Sequence, residues 1–246
     1  MNAPEPITPT ALRPAGRTVF TQQWLELTFI HWAVDPELVA PHMPRGVRPD
    51  VFEGASYVAL VPFRMRGIGL FGSPGVPYFG SFLETNVRLY GVDDDGRRGV
   101  VFSSLEASRL ATVAVTRAAT GLNYLWAKME YHRDGDRVEY RTRRRWPGPR
   151  GAGSHAVVRV GAAVEPDPLE SFLTARWGLF LPDRRGATCY WPNEHPAWPL
   201  RRAALDVLSD ELVAAAGFPG VASRAPDSVL FSERVHTRFG PRRRGV

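Results

Sequence analysis

The most constraining feature of this chain is an alternating run, Ser81-Phe-Leu-Glu-Thr-Asn-Val-Arg-Leu-Tyr90. A period of two puts Leu83, Thr85, Val87 and Leu89 on one side. Phe82, Glu84, Asn86, Arg88 and Tyr90 then fall on the other, the arrangement of a β-strand. Asp93-Asp-Asp-Gly96 supplies a turn and Gly99-Val-Val-Phe-Ser-Ser104 a second strand, so the pair reads as a hairpin. Further strands are expected at 57–66, 123–132, 137–145, 155–164 and 229–238, with His132-Arg-Asp-Gly-Asp136 turning the central hairpin. Val19 to Trp32 forms a long apolar first strand region.

Helical signals are few and short. Asp35-Pro36 is a cap followed by a first-position proline and opens a turn or two through Val39. Ser108 to Ala119 carries Leu110, Val113 and Ala114 on one face and stops at Gly121. Asp167-Pro-Leu-Glu170 combines a cap, a proline and a capping-box acid ahead of a helix through about Arg176. Ser209 to Ala216, closed by Gly217, is a fourth. The expected fold is mostly β (α+β): one antiparallel domain over residues 18–240 with short peripheral helices. A Pro-, Ala- and Thr-rich lead-in, 1–17, is expected to be disordered, and 241–246 forms a basic tail.

The 246 residues suit one large domain or two small ones, and 44% apolar with 23% charged residues is ordinary for a globular protein. The apolar runs are far too short to span a bilayer, and the lead-in lacks the apolar segment of a signal peptide. Cys189 is the only cysteine, which excludes an internal disulfide and fits a reducing cytoplasm. The net charge of +6 raises nucleic-acid binding. The arginine clusters, Arg141-Thr-Arg-Arg-Arg145 and Arg242-Arg-Arg244, lie beside Pro/Gly segments or the chain end with no aromatic-lined basic groove. Solvated arginine faces are therefore expected, and no nucleic-acid partner.

Two polar strand faces carry the candidate chemistry. On the first, aromatic residues flank Glu84, Asn86 and Arg88; on the second, Tyr124, Trp126, Lys128 and Glu130 share one side. If the sheet closes into a barrel, both faces can look into one hollow wide enough for a ligand. Lys128 is the sole lysine among thirty arginines. A buried amine can lose its proton and attack a carbonyl, which a guanidinium cannot, so Lys128 is a candidate nucleophile. The high arginine content equally fits a codon bias that spared one lysine by accident. His195, in Trp191-Pro-Asn-Glu-His-Pro-Ala-Trp198, belongs to an aromatic segment that could form a rim loop or could be structural. His31, ahead of Trp32, reads as a hydrogen-bonded core residue. The histidine spacing shows no metal motif, Gly67-Ile-Gly-Leu-Phe-Gly72 reads as a mobile loop, and no serine nucleophile elbow is present.

Several ordered stretches carry a resemblance: Phe29-Ile-His-Trp-Ala-Val-Asp-Pro-Glu-Leu38, Pro41-His-Met-Pro-Arg-Gly-Val47, Phe82-Leu-Glu-Thr-Asn-Val-Arg-Leu-Tyr90, Gly121-Leu-Asn-Tyr-Leu-Trp-Ala-Lys-Met129 and Glu194-His-Pro-Ala-Trp-Pro-Leu200. Over roughly residues 18–238 the chain resembles the YqjF-type proteins, which are similar to acetoacetate decarboxylases. The resemblance implies a cone-like closed antiparallel β-barrel with an internal cavity, often assembled as homo-oligomers. Acetoacetate decarboxylases carry a Schiff-base lysine, with a second beside it, shortly after a Gly-x-Pro motif. Here Tyr124 and Leu125 stand at the comparable positions and Lys128 follows three or four residues later, whereas Glu84 resembles the family's cavity glutamate.

The expected function is binding of a small organic acid or carbonyl compound. Arg88 would hold a carboxylate, Glu84 and Asn86 would fix polar groups, and Tyr124 and Trp126 would line the wall, with Glu130 and His195 as further ligand-facing candidates. A catalytic form would have Lys128 attack a ketone while Glu84 moves protons, giving decarboxylation or an aldol or dehydration step. The alternative is a binding or scaffold protein without turnover. No cofactor, metal or membrane partner is expected.

Overall fold

The computed structural model describes residues 2–70, 80–148, 150–182 and 186–244. Its long strands are β1 (Phe20–Val34), β3 (Ser56–Leu70), β4 (Phe82–Asp93), β5 (Arg98–Ala107), β6 (Tyr124–Asp134), β7 (Arg137–Trp146), β8 (Gly153–Ala163), β11 (Leu200–Asp210) and β12 (Ser228–Phe239). Shorter ones are β2 (Val47–Pro49), β9 (Gly178–Pro182), β10 (Thr188–Glu194) and β13 (Arg243–Arg244). The helices are α1 (Pro36–Val39), α2 (Leu110–Thr120), α3 (Pro168–Thr174) and α4 (Leu212–Ala215). Neighbours pair in the order β13-β10-β9-β5-β6-β7-β8-β11-β12-β1-β3-β4-β2, with further ladders β4–β5 and β10–β12 joining strands far apart in that order. Pairing is antiparallel except β5 with β6 and β5 with β9.

Alternate residues of the same strands feed two separate cores. Phe29, Tyr57, Ala59, Val61, Phe63, Phe82 and Tyr90 belong to one. Their sequence neighbours Ile30, Val58, Leu60, Val87 and Leu89 belong to the other, packed against Val138, Tyr140 and Val158 of the β7–β8 layer. A sheet buried on both faces leaves β3 apolar throughout, which is why its burial runs unbroken from Ser56 to Phe63.

In β1 the side-chain parity changes. Its register against β3 advances five residues from Leu25 to Ile30 while β3 advances four, from Arg64 to Leu60. This one-residue bulge contains Glu26 at φ 48°, a left-handed conformation for a residue that disfavours it. The excess residue reverses which face each side chain takes. Even-numbered Phe20 and Trp24 therefore pack on the same core as odd-numbered Leu27 and Phe29. The bulge is held by its own groups: the Glu26 carboxylate accepts from Arg64 at 2.5 Å, and its carbonyl accepts from the Tyr140 hydroxyl at 2.5 Å.

The local signals largely hold. Asp35 and Asp167 cap α1 and α3, the latter with the full capping box to Glu170. Gly121 ends α2 at φ 77°. The expected helix 209–216 shrinks to α4, because Ser209 and Asp210 pair with His155 and Ser154 as the end of β11. Where the sequence predicts a disordered lead-in, residues 2–17 form neither helix nor strand yet lie against the sheet. Asn2 and Glu5 donate to Asp94 and Gly96, and Trp177 donates to the Thr8 carbonyl. The basic tail places Arg243 and Arg244 opposite Tyr190 and Cys189. The expected loop at 67–72 is strand through Leu70, and its remainder lies outside the described residues.

Candidate functional site

The polar trio of β4 faces the first core. Across the ladder Glu84 lies between Phe63 and Ala107, Asn86 between Val61 and Leu105, and Arg88 between Ala59 and Phe102. Such neighbours exclude water, and Glu84 is 2% exposed. Burial drives its carboxyl up to about 8, although hydrogen bonds from the Tyr124 hydroxyl, at 3.1 Å, and from Asn86 pull the other way. Glu84 therefore keeps its proton at pH 7. The buried Oδ1 of Asn86 has no hydrogen-bond partner. An unmatched buried acceptor costs about 1–3 kcal/mol, so it marks a place where a ligand or water donor would be stabilising.

Arg88 occupies the other end of the trio. Its Nε donates to the Tyr90 hydroxyl at 3.1 Å, its Nη2 donates to the Leu173 carbonyl at 3.2 Å, and its guanidinium lies 5.0 Å from the Phe29 ring centre. No carboxylate pairs with it among the described residues. Tyr90 is 2.8 Å from Nε2 of the fully buried His31. Tyr90 also accepts from Arg88, and the other ring nitrogen of His31 is Nδ1. That Nδ1 is buried without a partner. Burial, then the nearby Arg88 and Arg176, hold His31 well below the usual histidine range, so the ring is neutral.

Arg176 stacks over Phe172 at 4.3 Å and Tyr90 at 4.9 Å and shares the Asp50 carboxylate with Arg98. Three guanidiniums thus gather where Asp50 answers two of them, and Arg88 is the one left over. The adjoining wall is aromatic: Trp24 stacks on Trp198 at 5.7 Å, and His195 lies 4.5 Å from Trp177 and 4.7 Å from Trp198. Burial lowers His195 to about 4, and its Nδ1 donates to the Pro196 carbonyl at 2.7 Å. His195 is a neutral wall residue fixed by its own loop.

The structure thus brings together Glu84, Asn86, Arg88 and Tyr124, with His195 in the adjoining wall, and separates Lys128 and Glu130 from them. Lys128 is exposed and pairs with the equally exposed Glu130 at 2.8 Å. The expectation of an interior amine beside Glu84 is corrected, for a geometric reason. β6 accompanies β5 only over Tyr124–Trp126, opposite Leu105–Ala107. Past Trp126 the β5 ladder ends, so the parity that encloses Tyr124 delivers Lys128 and Glu130 to solvent. Trp126, half-buried, stands at the transition.

The alternating pattern of β4 pointed to Tyr90 as well, but Trp24, Asp50 and Arg176 carried no local signal; their roles depend on the bulge in β1 and on where α3 ends. Among the described residues no group of three potential metal ligands comes together, and no helix is long and apolar enough to cross a membrane.

An acetoacetate decarboxylase-like fold is the class that these strands define. The acetoacetate decarboxylase of Legionella pneumophila superposes with a TM-score of 0.61 at 17% identity, covering 100% of this chain and 92% of that one. An acetoacetate decarboxylase-like enzyme from Sphingomonas wittichii RW1 gives 0.64 at 13% identity, with both chains fully covered. The enduracididine biosynthesis enzyme MppR complexed with pyruvate gives 0.61 at 15%, covering 95% of this chain and 92% of that one. At these identities the likeness is one of fold. By sequence, the chain belongs to the DUF2071 family, described as an uncharacterized conserved protein, which matches residues 21–236. It is 28% identical over 207 residues to the uncharacterized protein YqjF of Bacillus subtilis (strain 168), covering 83% of this chain and 84% of YqjF.

Proposed function

We propose that this protein binds a small organic acid bearing a carbonyl group between the polar face of β4, Tyr124 and the Trp24–Trp198 wall. We further infer that the sheet wraps around these groups as a cone-like barrel, a reading supported by the β4–β5 and β10–β12 ladders. The observation that carries the proposal is Arg88, a half-buried guanidinium with no carboxylate partner among the described residues, on the same strand face as a protonated Glu84. A half-buried guanidinium without a carboxylate beside it gains from a counter-ion, and a ligand carboxylate would supply one through charge-assisted hydrogen bonds. The Glu84 proton and the unpaired Asn86 Oδ1 would then meet the remaining polar atoms of the ligand. That a fold neighbour is described as complexed with pyruvate makes pyruvate the natural first probe.

The chemistry open to this set is proton transfer. Glu84 donates its proton to the ligand's carbonyl oxygen and is left as the carboxylate, which can take a proton from the adjacent carbon. Any decarboxylation, aldol or dehydration step would proceed without Lys128, whose amine is on the outer surface. The second reading, binding without turnover, is favoured by that missing interior amine. A sole cysteine that is buried as a free thiol supports a cytoplasmic location, and assembly into oligomers remains part of the proposal.

Titration calorimetry with pyruvate and acetoacetate tests the binding, with Arg88→Met expected to weaken it at least 30-fold, the loss of a charged hydrogen-bonded pair worth about 2–3 kcal/mol. Exchange of pyruvate methyl protons for deuterium, followed by NMR, separates the two readings. Exchange that disappears in Glu84→Gln identifies catalysis, and binding without exchange identifies a binder. Absence of binding in the unmodified protein would refute the proposal.

A further inference from the structure

A cavity of about 680 Å³ opens on the outer surface where β3, β4 and β6 carry Met65, Phe82 and Trp126. Its described lining holds five cations, Arg64, Arg66, Arg109, Lys128 and Arg145, and no carboxylate. Two of the five are answered in place, Arg64 by Glu26 and Lys128 by Glu130. Arg66 and Arg145 are exposed and have no ion pair among the described residues.

The cavity also touches Met65, Phe82 and Trp126. Met65 and Phe82 are cross-strand partners, and both belong to the core that encloses Glu84. One pleat further along the same faces, two residues away on each strand, stand Phe63, Glu84 and Tyr124. Those three mark the carboxyl end of the candidate site, since Phe63 pairs with Glu84 and Tyr124 donates to it. Met65 and Phe82 are 5% and 6% exposed, so their side chains stand between this cavity and Glu84.

We propose that this cavity is the anion-collecting mouth of the interior site, with Met65, Phe82 and Trp126 as a hydrophobic constriction through which small organic anions pass. The inference rests on the function proposed above for its ligand class. A cleft lined by one sign of charge with low-dielectric walls concentrates counter-ions and raises their arrival rate. The constriction is apolar and built from unbranched or aromatic side chains, which change rotamer without moving the backbone. The sole lysine acquires a role on this account: Lys128 is part of the collecting surface rather than of the reacting group.

Cysteine accessibility tests the passage without requiring any substrate. Glu84→Cys is made in a Cys189→Ser background, with Asn86→Cys as a second reporter should the first fail to fold. Each is treated with a negatively charged and a positively charged methanethiosulfonate of similar size. The anionic reagent is expected to react faster at low salt, and Arg66→Gln with Arg145→Gln together should lower the anionic-to-cationic rate ratio about tenfold. High salt should erase the difference, and Trp126→Ala should accelerate both reagents. A folded reporter that neither reagent reaches, a ratio unchanged in the arginine variants, or rates unchanged by Trp126→Ala would each overturn the inference. Failure of pyruvate binding with the accessibility pattern intact would strike the functional proposal instead.

Discussion

Replacing Glu84 by glutamine isolates the energetic consequence of burying a carboxyl in an apolar sheet. In the unfolded chain this carboxyl titrates near its ordinary value of 4.5, whereas in the folded protein burial holds it at about 8. Between those values the unfolded state gives up its proton and the folded state does not. The folded state thus binds more protons there, so stability falls as pH rises through that window and levels off above it. Each unit costs about 1.4 kcal/mol, so the penalty grows by about 3–4 kcal/mol between pH 5 and pH 8. Glutamine has the shape of the neutral acid and does not titrate. Urea unfolding of both proteins from pH 5 to pH 8.5 should show nearly equal stability at the acid end. The variant should then gain on the native protein steadily up to about pH 8. Taking the difference between the two cancels buried groups not coupled to Glu84, among them His31 and His195. Parallel stability curves across the whole range would refute the claim that Glu84 is protonated in the fold.

Two further outcomes follow from the same geometry. Lys128→Arg should leave the unfolding midpoint and pyruvate affinity unchanged, and borohydride treatment with acetoacetate should leave the mass of Lys128 peptides unaltered; a reduced adduct on Lys128 would contradict its exposed position. On the other core, Glu106 and Arg144 form a buried ion pair, with Arg144 Nε 3.1 Å from the carboxylate and Ser104 donating to its second oxygen at 3.1 Å. Glu106→Gln strands that guanidinium and should destabilise the fold by about 3–5 kcal/mol, while Glu106→Met with Arg144→Met should cost much less than the two single changes added, as measured by chemical unfolding.

The mostly β, antiparallel character was legible in the sequence because its signals are short-range, whereas the acetoacetate decarboxylase-like fold was implied only by the family resemblance. The β4 alternation, the Asp93–Gly96 turn, the caps at Asp35 and Asp167 and the stop at Gly121 each depend on a few consecutive residues. Strands β9, β10 and most of β11 were not legible. They are short, proline-flanked or alternately exposed, and are strands because a neighbouring ladder recruits them, as β8 does for β11. The candidate site divides along the same line. Glu84, Asn86 and Arg88 were nameable from one strand's periodicity, and Tyr124 from the alternation of a second. Trp24 reaches the site only through the bulge at Glu26, and Arg176 only because α3 lays it over Tyr90.

By itself, then, the amino-acid order determined which residues share a face in the unbulged strands β4 and β6, where the chain turns and that a lone amine lies on a strand. Whether a given face is enclosed was decided by the tertiary structure. Periodicity is a property of one strand, but burial depends on how far the next strand runs beside it. The ladder between β5 and β6 lasts three residues, long enough to cover Tyr124 and too short to cover Lys128.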